Sequence, residues 1–390
     1  MRRWIAWILV WMMICLVPVR AVHAELTLSS PSTILIEAST GQVVYEQNAD
    51  EIRSPASITK IMTLLLIYEA LEKGSLHLED MVTVSAHAKS MGGSQVFLEE
   101  GEQQNVETMI KCIVIASGND ASVAMAEHLA GSEQEFVDRM NQRAGELGMK
   151  NTHFIDCCGL SDSKDHYTTA SDVAVMSRML ITAHPQILTY SSIWMEDIVH
   201  VTKKGSSPFT LSNTNKLIRS YEGCLGLKTG STSVAKYCVS AVAMRNDITL
   251  IAVVMGAPDH KVRFADAASM LNYGFGTCRL YKDENQKLTE QVQVSGGVTH
   301  QVGVQMQEQF HFLDTSGKDL SKIQRKLELE DQIKAPVKKG TKIGEAVYTL
   351  DGGKIGSAAL VASENIKKAG FLDCIGMVWK KLLFSNASQI

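Results

Sequence analysis

The sequence lacks the features that mark several classes of protein. Its 390 residues contain no long basic tract and carry a formal net charge of -4, which argues against a nucleic-acid-binding protein. The eight cysteines show no repeated spacing of the kind that binds zinc. His77, His87 and His128 likewise have no partner at a metal-binding spacing, so we expect no metal and no cofactor. The composition, 45% hydrophobic and 21% charged, is that of a globular protein with two or three domains.

The N-terminus has the pattern of a signal peptide. Arg2 and Arg3 precede an apolar run from Trp4 to Val17, and a small residue, Ala24, stands at the expected cleavage point. We predict that residues 1–24 are removed and that the mature chain is exported. An uncleaved N-terminal anchor is the alternative.

The cysteines that would remain after cleavage are seven in number. Adjacent Cys157 and Cys158 cannot bond to each other without strain, and a domain of this size needs no disulfide to be stable. We expect mostly buried free thiols. One disulfide between distant cysteines is the alternative.

Residues 25–279 are predicted to form one domain that begins and ends with strands. Thr33 to Tyr45 has the pattern of a β-hairpin, and three more strands are predicted within residues 226–256. Helical patterns fill most of the sequence between them, and another helix is predicted over Val262 to Tyr273. One antiparallel sheet built from both ends of the domain and covered by helices is the economical α/β (α+β) arrangement.

Residues 280–363 alternate polar and apolar residues with a period of two, and Asp351-Gly352 has the pattern of a hairpin turn. This segment is predicted to be a separate, small all-β domain, and we find no catalytic cluster in it.

Residues 364–390 are predicted to form a helical tail, as far as Phe384. Its apolar residues fall on one stripe, flanked by lysines, which favours a helix lying on a membrane surface over one that crosses it. A helix docked on its own domain is the alternative. The residues of the stripe are Leu372, Ile375, Trp379, Leu382 and Leu383.

The first candidate for chemistry is the sequence from Ser57 to Lys60, at the start of an apolar helix. We predict Ser54 as the N-cap and Pro55 as the first helical residue. Ser57 and Lys60 would then lie one turn apart on the same face, where they could act as nucleophile and base. The pattern Ser-x-x-Lys occurs three times, but only this copy opens an apolar helix.

Two further motifs follow in order. Ser117-Gly118-Asn119 is predicted to lie in a helix–helix loop, and Lys228-Thr229-Gly230 in a strand. The three motifs together form the signature of penicillin-binding proteins and class A β-lactamases. Each motif also lies in the expected secondary structure, so the combination is far more specific than any one of them.

With these motifs the mature chain resembles the low-molecular-weight penicillin-binding proteins of the D-alanyl-D-alanine carboxypeptidase family, of the penicillin-binding protein 5 type. The resemblance implies a β-lactamase/transpeptidase-like fold. It extends to sequences such as Gly148 to Phe154, His166 to Asp172 and Asn213 to Asn215. The stretch from Ser90 to Leu98 resembles sporulation-associated members.

The resemblance also implies roles for single residues. Ser57 would be the acylated nucleophile and Lys60 its base, with Lys228 as the cation that lowers the pKa of Lys60. Ser117 and Asn119 would relay protons and hold the substrate amide. The strand lining the site would supply Thr229, Gly230 and the second oxyanion N–H, that of Ser231.

The resemblance also bears on Arg263, Ser231, Cys157-Cys158 and His166. Arg263 matches the family position that binds the substrate carboxylate, and a surface arginine is the alternative. Ser231 stands where members often carry a larger residue, and Cys157-Cys158 where Asn-Pro is common; neither change removes a catalytic group. His166 invites a catalytic role, but in its motif it is expected to be structural.

These features predict a serine-type D-Ala-D-Ala carboxypeptidase, which removes the last D-alanine of a peptidoglycan stem peptide through an acyl-enzyme on Ser57. β-Lactams would be its covalent inhibitors, and the outer face of the cytoplasmic membrane its location. The alternatives are a D,D-endopeptidase, a β-lactamase and a catalytically silent penicillin-binding wall protein.

Overall fold

The computed structural model describes residues 26–202, 205–285 and 287–384. The predicted signal peptide, residues 1–24, and the end of the predicted tail, residues 385–390, lie outside these ranges.

The central element is a five-stranded antiparallel sheet whose strands come from both ends of the first 260 residues. Its order is β2-β1-β9-β8-β7, so β7 lies at one edge. The predicted sheet built from both ends is therefore confirmed. Its strands are β1 (Ser32–Glu37), β2 (Val43–Gln47), β7 (Cys224–Thr232), β8 (Lys236–Arg245) and β9 (Ile248–Ala257).

Both faces of this sheet are buried. Side chains alternate between the faces with the period of two that a strand requires: Ile34 and Ile36 belong to the larger core, and Leu35 to the smaller one. Helix α9 (His260–Thr277) covers the smaller core, packing through residues such as Met270 and Leu271. The larger core lies under the helices that connect β2 to β7.

Several of these connecting helices begin at a side chain that accepts a backbone N–H bond, as helix N-termini require. Asn105, Ser132 and Thr169 act in this way. The helices are α1 (Lys60–Glu72), α2 (Ala86–Lys89), α3 (Val106–Val114), α4 (Asn119–Ala130), α5 (Glu133–Glu146), α6 (Ala170–Ala183), α7 (Ile187–Ser191) and α8 (Leu217–Ser220).

Two short hairpin-like sheets stand beside the helices. Their strands are β3 (Met81–Thr83) with β4 (Gln103–Asn105), and β5 (Met195–Thr202) with β6 (Gly205–Ser212).

The predicted start of the apolar helix is wrong in its detail. A 3-10 turn, Ala56–Thr59, precedes α1, and Pro55 lies before that turn. The hydroxyl of Ser54 is buried without a hydrogen-bond partner and caps nothing. The reason is the backbone of Ala56, which has φ +46; this left-handed conformation breaks the helical path directly after Pro55. Ser57 therefore lies in a tight turn, and Lys60 is the first residue of the helix.

Strand β7 runs directly against this turn, and Gly230 makes the close approach possible. A Cβ atom at Gly230 would lie 2.9 Å from the carbonyl oxygen of Pro55 and 3.0 Å from the backbone nitrogen of Ser57. Both are backbone atoms that cannot rotate away, so a side chain at this position would separate the strand from the turn.

The rest of the chain is rich in β-structure. A six-stranded sheet has the order β14-β16-β17-β12-β11-β15, and a two-stranded sheet pairs β10 with β13. Asp351-Gly352 forms the predicted turn between β16 and β17. The strands are β10 (Arg279–Lys282), β11 (Lys287–Ser295), β12 (Gln301–Met306), β13 (His311–Asp314), β14 (Gln324–Leu329), β15 (Gln332–Lys334), β16 (Lys342–Leu350) and β17 (Gly353–Ala362).

Helix α10 (Phe371–Phe384) follows this sheet. It begins later than predicted, because Ile366 still pairs with Val337 of the β-rich segment. Phe371, Leu372 and Trp379 are exposed. The side chains of Leu382 and Leu383 lie outside the description. Within the described ranges, no helix has the length and apolar character needed to cross a lipid bilayer.

Candidate active site

Lys60 is the most deeply buried ionisable group of the site. Its Nζ lies 3.0 Å from Ser57 Oγ, 2.6 Å from Asn119 Oδ1 and 2.6 Å from the carbonyl oxygen of Cys158. Burial lowers the pKa of Lys60, while the neighbouring thiols and, more weakly, nearby carboxylates oppose that change. All three hydrogen-bonding partners are neutral, so none of them compensates a positive charge directly.

These three partners also determine how a neutral Lys60 would be oriented. An amide oxygen and a carbonyl oxygen can only accept hydrogen bonds, whereas a serine hydroxyl can donate one. A neutral amine has two N–H groups and one lone pair. With its two N–H groups on Asn119 and Cys158, its lone pair faces the hydroxyl of Ser57.

Lys228 and Ser117 form a second hydrogen-bonded pair near Lys60. Lys228, on β7, donates from Nζ to Ser117 Oγ over 2.8 Å and to the carbonyl oxygen of Thr229 over 3.0 Å. Burial holds the pKa of Lys228 well below its usual value, and the positive charges of Lys60 and Arg263 add to the effect. Ser117 has φ +64, a conformation that non-glycine residues adopt mainly at special sites.

Asn119 links Lys60 to the loop that contains Gly92 and Ser94. Its Nδ2 donates to the carbonyl oxygen of Gly92 over 2.7 Å, and its backbone N–H donates to Ser94. The sequence predicted that Asn119 lies in a loop, but the structure places it on the first turn of α4.

Asp120 fixes the same loop. Its carboxylate accepts the backbone N–H groups of Val96 and Leu98. The sequence analysis assigned Asp120 no role, although it lies next to Asn119 in the recognised motif. A buried carboxylate that accepts several backbone N–H groups is a common way to hold a loop in place.

Thr229, Gly230 and Ser231 follow Lys228 along β7, as predicted. Gly230 passes the backbone of Ser57, and the next residue, Ser231, is exposed. Thr229 Oγ1 donates to Thr214 Oγ1 over 2.7 Å. Thr214 was part of a recognised motif without an assigned role, and this contact shows where it lies.

Arg263 is not a surface arginine. It projects from the first turn of α9 and is 9% exposed. Its guanidinium donates to the carbonyl oxygens of Gly230 (3.2 Å) and Cys238 (3.3 Å). The same group lies 4.6 Å from the ring centre of Phe264. Its Nε is buried without a partner in the protein.

The carbonyl of Cys158 is the contact that the sequence analysis missed. It accepts from Lys60 through the main chain, so the residue type at this position gives no signal. The seven cysteines in the described part of the chain are free thiols, as expected, and all but Cys374 are buried. Within that part, no group of three or more His, Cys, Asp or Glu side chains could hold a metal ion.

Comparison with known families accounts for nearly all of the described chain. Residues 19–259 match the family model of D-alanyl-D-alanine carboxypeptidase, and residues 275–368 match that of the penicillin-binding protein 5 C-terminal domain. The domain boundaries predicted from the sequence, at residues 24, 279 and 363, remain predictions.

Individual proteins give the same result. The chain is 43% identical over 352 residues to D-alanyl-D-alanine carboxypeptidase DacF of Bacillus subtilis. The aligned residues cover 90% of this chain and 89% of that one. It is 34% identical to DacC of Escherichia coli, over 92% of this chain and 90% of that one.

A solved structure, penicillin-binding protein 5 of Haemophilus influenzae, matches with a TM-score of 0.73 at 31% identity and covers 88% of this chain and 99% of that one. The predicted β-lactamase/transpeptidase-like fold with an all-β C-terminal segment is therefore confirmed. The chain belongs to the D-alanyl-D-alanine carboxypeptidase family, and it is a serine peptidase of the penicillin-binding protein type.

Proposed function

We propose that Ser57 is the nucleophile and Lys60 the base that activates it. The observation that supports this assignment best is the set of three contacts at Lys60 Nζ, because they leave only its lone pair for the hydroxyl of Ser57. Burial lowers the pKa of Lys60 and so favours the neutral amine that a general base requires. The substrate is a peptidoglycan stem peptide ending in D-Ala-D-Ala.

In this mechanism Ser57 Oγ attacks the carbonyl carbon between the two D-alanines while its proton moves to Lys60. The tetrahedral intermediate then collapses, the terminal D-alanine leaves as an amine, and an ester to Ser57 remains. Water hydrolyses that ester and frees the enzyme. A β-lactam would acylate Ser57 in the same way when its ring amide opens, and the ester that blocks Ser57 would make it an inhibitor.

Ser117 and Lys228 would protonate the leaving amine. The hydroxyl of Ser117 accepts a hydrogen bond from Lys228 Nζ and can in turn donate its own proton into the cleft. Asn119 would hold the substrate amide while its Oδ1 orients Lys60.

The edge position of β7 offers the substrate a place to bind. Because β8 is the only described strand that pairs with β7 in the sheet, the other edge of β7 can bind an extended peptide as an added strand. The backbone N–H groups of Ser57 and Ser231 would then stabilise the oxyanion. The close packing at Gly230 keeps these two segments together.

Arg263 would recognise the free carboxylate at the end of the substrate, together with Thr229. The guanidinium is already held against β7 and β8 by two carbonyl oxygens. It is therefore preorganised, and its remaining N–H groups would bind the carboxylate.

The location of the protein is a further part of this proposal. We infer export directed by residues 1–24 and attachment to the outer face of the cytoplasmic membrane through helix α10. The exposed Phe371, Leu372 and Trp379 and the lysines beside them fit a helix that lies on a lipid surface. A role in sporulation rests on the sequence from Ser90 to Leu98 alone and stays a hypothesis.

Replacing Ser57 by alanine should abolish both reactions of the site. We expect Ser57→Ala to release no D-alanine from diacetyl-L-Lys-D-Ala-D-Ala and to form no covalent adduct with a fluorescent penicillin, because Ser57 supplies the only hydroxyl among the described hydrogen bonds of Lys60. Ser161→Ala, in another copy of the Ser-x-x-Lys pattern, is the matched control and should keep both activities. Penicillin labelling of Ser57→Ala would show that another residue is acylated.

The rate of acylation should depend on the protonation of Lys60. Only the neutral amine accepts a proton, so the rate should rise as pH increases through the lowered pKa of Lys60 and then level off. Lys60→Arg stays cationic and should lose about 10²- to 10⁴-fold in acylation rate at every pH. Stopped-flow labelling with a fluorescent penicillin measures both. Lys164→Arg, in another copy of the Ser-x-x-Lys pattern, is the control and should keep the wild-type rate. A wild-type rate that does not change between pH 5 and 9, or a Lys60→Arg variant that stays active, contradicts the assignment.

Arg263 can be tested with two substrates that differ only at the C-terminus. Arg263→Gln should lower kcat/KM for the peptide acid by about 10- to 100-fold, the value of a lost charge-assisted hydrogen bond. It should change kcat/KM much less for the same peptide with a C-terminal amide. Arg245→Gln, which also removes an arginine that lies over two aromatic rings, is the control. Equal losses on both substrates would mean that Arg263 only supports the strands.

Membrane attachment can be tested by removing helix α10. A chain that ends at Gly370, just before α10, should stay in the supernatant when it is centrifuged with anionic lipid vesicles, whereas the full chain should sediment. D-alanine release should be the same for both, because the helix contributes no residue to the site. Equal sedimentation of the two chains would rule out α10 as the attachment.

A further inference from the structure

His166 connects the two backbone segments that surround Lys60, although it does not contact Lys60 itself. The imidazole is 1% exposed. On one side, its Nε2 lies 2.8 Å from Thr59 Oγ1, in the turn that carries Ser57. On the other side, the backbone N–H of Ile155 donates to its Nδ1 over 3.0 Å. Ile155 begins the loop that leads to Cys158.

These contacts determine which nitrogen carries the proton. The N–H of Ile155 can only donate, so Nδ1 must be the unprotonated nitrogen that accepts. In a neutral imidazole the proton then lies on Nε2, which donates to the hydroxyl oxygen of Thr59. Burial lowers the pKa of His166, with a smaller effect of His153 in the same direction and an opposing one from Asp156. The neutral form with its proton on Nε2 is thus the form that the structure stabilises.

The loop after Ile155 is built to present one carbonyl to Lys60. The carboxylate of Asp156 accepts the backbone N–H groups of Cys158 (2.9 Å), Gly159 and Ser161 (2.8 Å). This compact turn directs the carbonyl oxygen of Cys158 at Lys60 Nζ, over 2.6 Å.

Loop and turn also touch directly. A Cβ atom at Gly159 would lie 1.8 Å from the carbonyl oxygen of Ala56 and 2.8 Å from Thr59 Oγ1. The relative position of Ser57 and the Cys158 carbonyl is therefore set by a short path through backbone atoms, Thr59 and His166.

We propose that His166 is a positioning residue for acylation, which holds the Ser57 turn and the Cys158 loop at the separation that directs the lone pair of Lys60 at the hydroxyl of Ser57. This proposal rests on the roles proposed above for Ser57 and Lys60. His166 does not act as an acid or a base itself, because both ring nitrogens are engaged with groups other than the nucleophile or Lys60.

A positioning role affects kcat and KM differently. If the loop shifts, Lys60 loses its carbonyl partner and its lone pair turns away from Ser57, so the chemical step slows. The described hydrogen bonds and ring contacts of His166 join it to Thr59, Ile155 and Phe154 and not to the proposed binding groups, β7 and Arg263, so substrate affinity should stay nearly unchanged. A misplacement of this kind, of about 1 Å, is enough to cost about 100-fold in rate.

The experiment removes the hydrogen bond between Thr59 and His166 from either side in the full chain, and keeps an acceptor for Ile155. Thr59→Val deletes the acceptor hydroxyl at nearly constant shape, and Thr59→Ser keeps it. In His166→Asn, the side-chain oxygen can replace Nδ1 as the acceptor for Ile155, but the contact to Thr59 is lost. The measurements are the acylation rate by a fluorescent penicillin per titrated active site, kcat and KM for D-alanine release, and the melting temperature.

We expect Thr59→Val and His166→Asn each to lower kcat and the acylation rate about 10- to 100-fold, with KM within about threefold of the wild type. The double variant should be no slower than the slower single variant, and Thr59→Ser should restore most of the rate. A lower melting temperature with an unchanged rate per active site would mean that the contact is merely structural. A rise in KM at constant kcat would also overturn the proposal.

Nitrogen NMR of the wild-type protein provides a test that needs no variant. The ¹⁵N shifts of His166 should show a proton on Nε2 and none on Nδ1 at neutral pH. A proton on Nδ1 would overturn the proposal. Penicillin labelling of Ser57→Ala, in contrast, would refute the assignment of the nucleophile itself.

Discussion

The site depends on one buried amine that has no carboxylate among its hydrogen-bonding partners. Lys60 is held by the amide oxygen of Asn119, the carbonyl oxygen of Cys158 and the hydroxyl of Ser57. An ion buried among neutral groups is costly, so the free-energy difference between its two protonation states shifts toward the neutral one. The same contacts orient the neutral amine. Protonation state and orientation thus have a single structural origin.

The rest of the domain brings these partners together from segments far apart in the sequence. Lys60 comes from the start of α1, Asn119 from the start of α4 and Cys158 from the loop after α5. Strand β7 is the fourth segment of the site and supplies Lys228. Burial lowers the pKa of Lys228, and the nearby positive charges lower it further. Because Gly230 has no side chain, the strand can approach the Ser57 turn closely. The second, β-rich segment supplies none of the residues assigned to the site.

Much of this arrangement was predictable because the three motifs carry their chemistry in side chains. Serine, lysine and asparagine in this combination share few functions other than the acyl transfer proposed here. The structure brings all five side chains together, namely Ser57, Lys60, Ser117, Asn119 and Lys228. Local backbone geometry was harder to predict. The helix was predicted to start at Ser54, but the positive φ of Ala56 makes a 3-10 turn of that segment. The sequence left open whether Arg263 lies on the surface, and its packing against β7 and β8 shows that it does not.

The sequence by itself determined the fold class, the family and which residues are proposed to carry the chemistry, because residue types and spacings express them directly. Only the tertiary structure decided how Lys60 is held, where Arg263 points and what His166 contacts. Lys60 depends on the carbonyl oxygen of Cys158, and His166 on the N–H of Ile155. Every residue other than proline has such backbone groups, so no residue type identifies the ones that matter. Their role is fixed by the path of the chain in space.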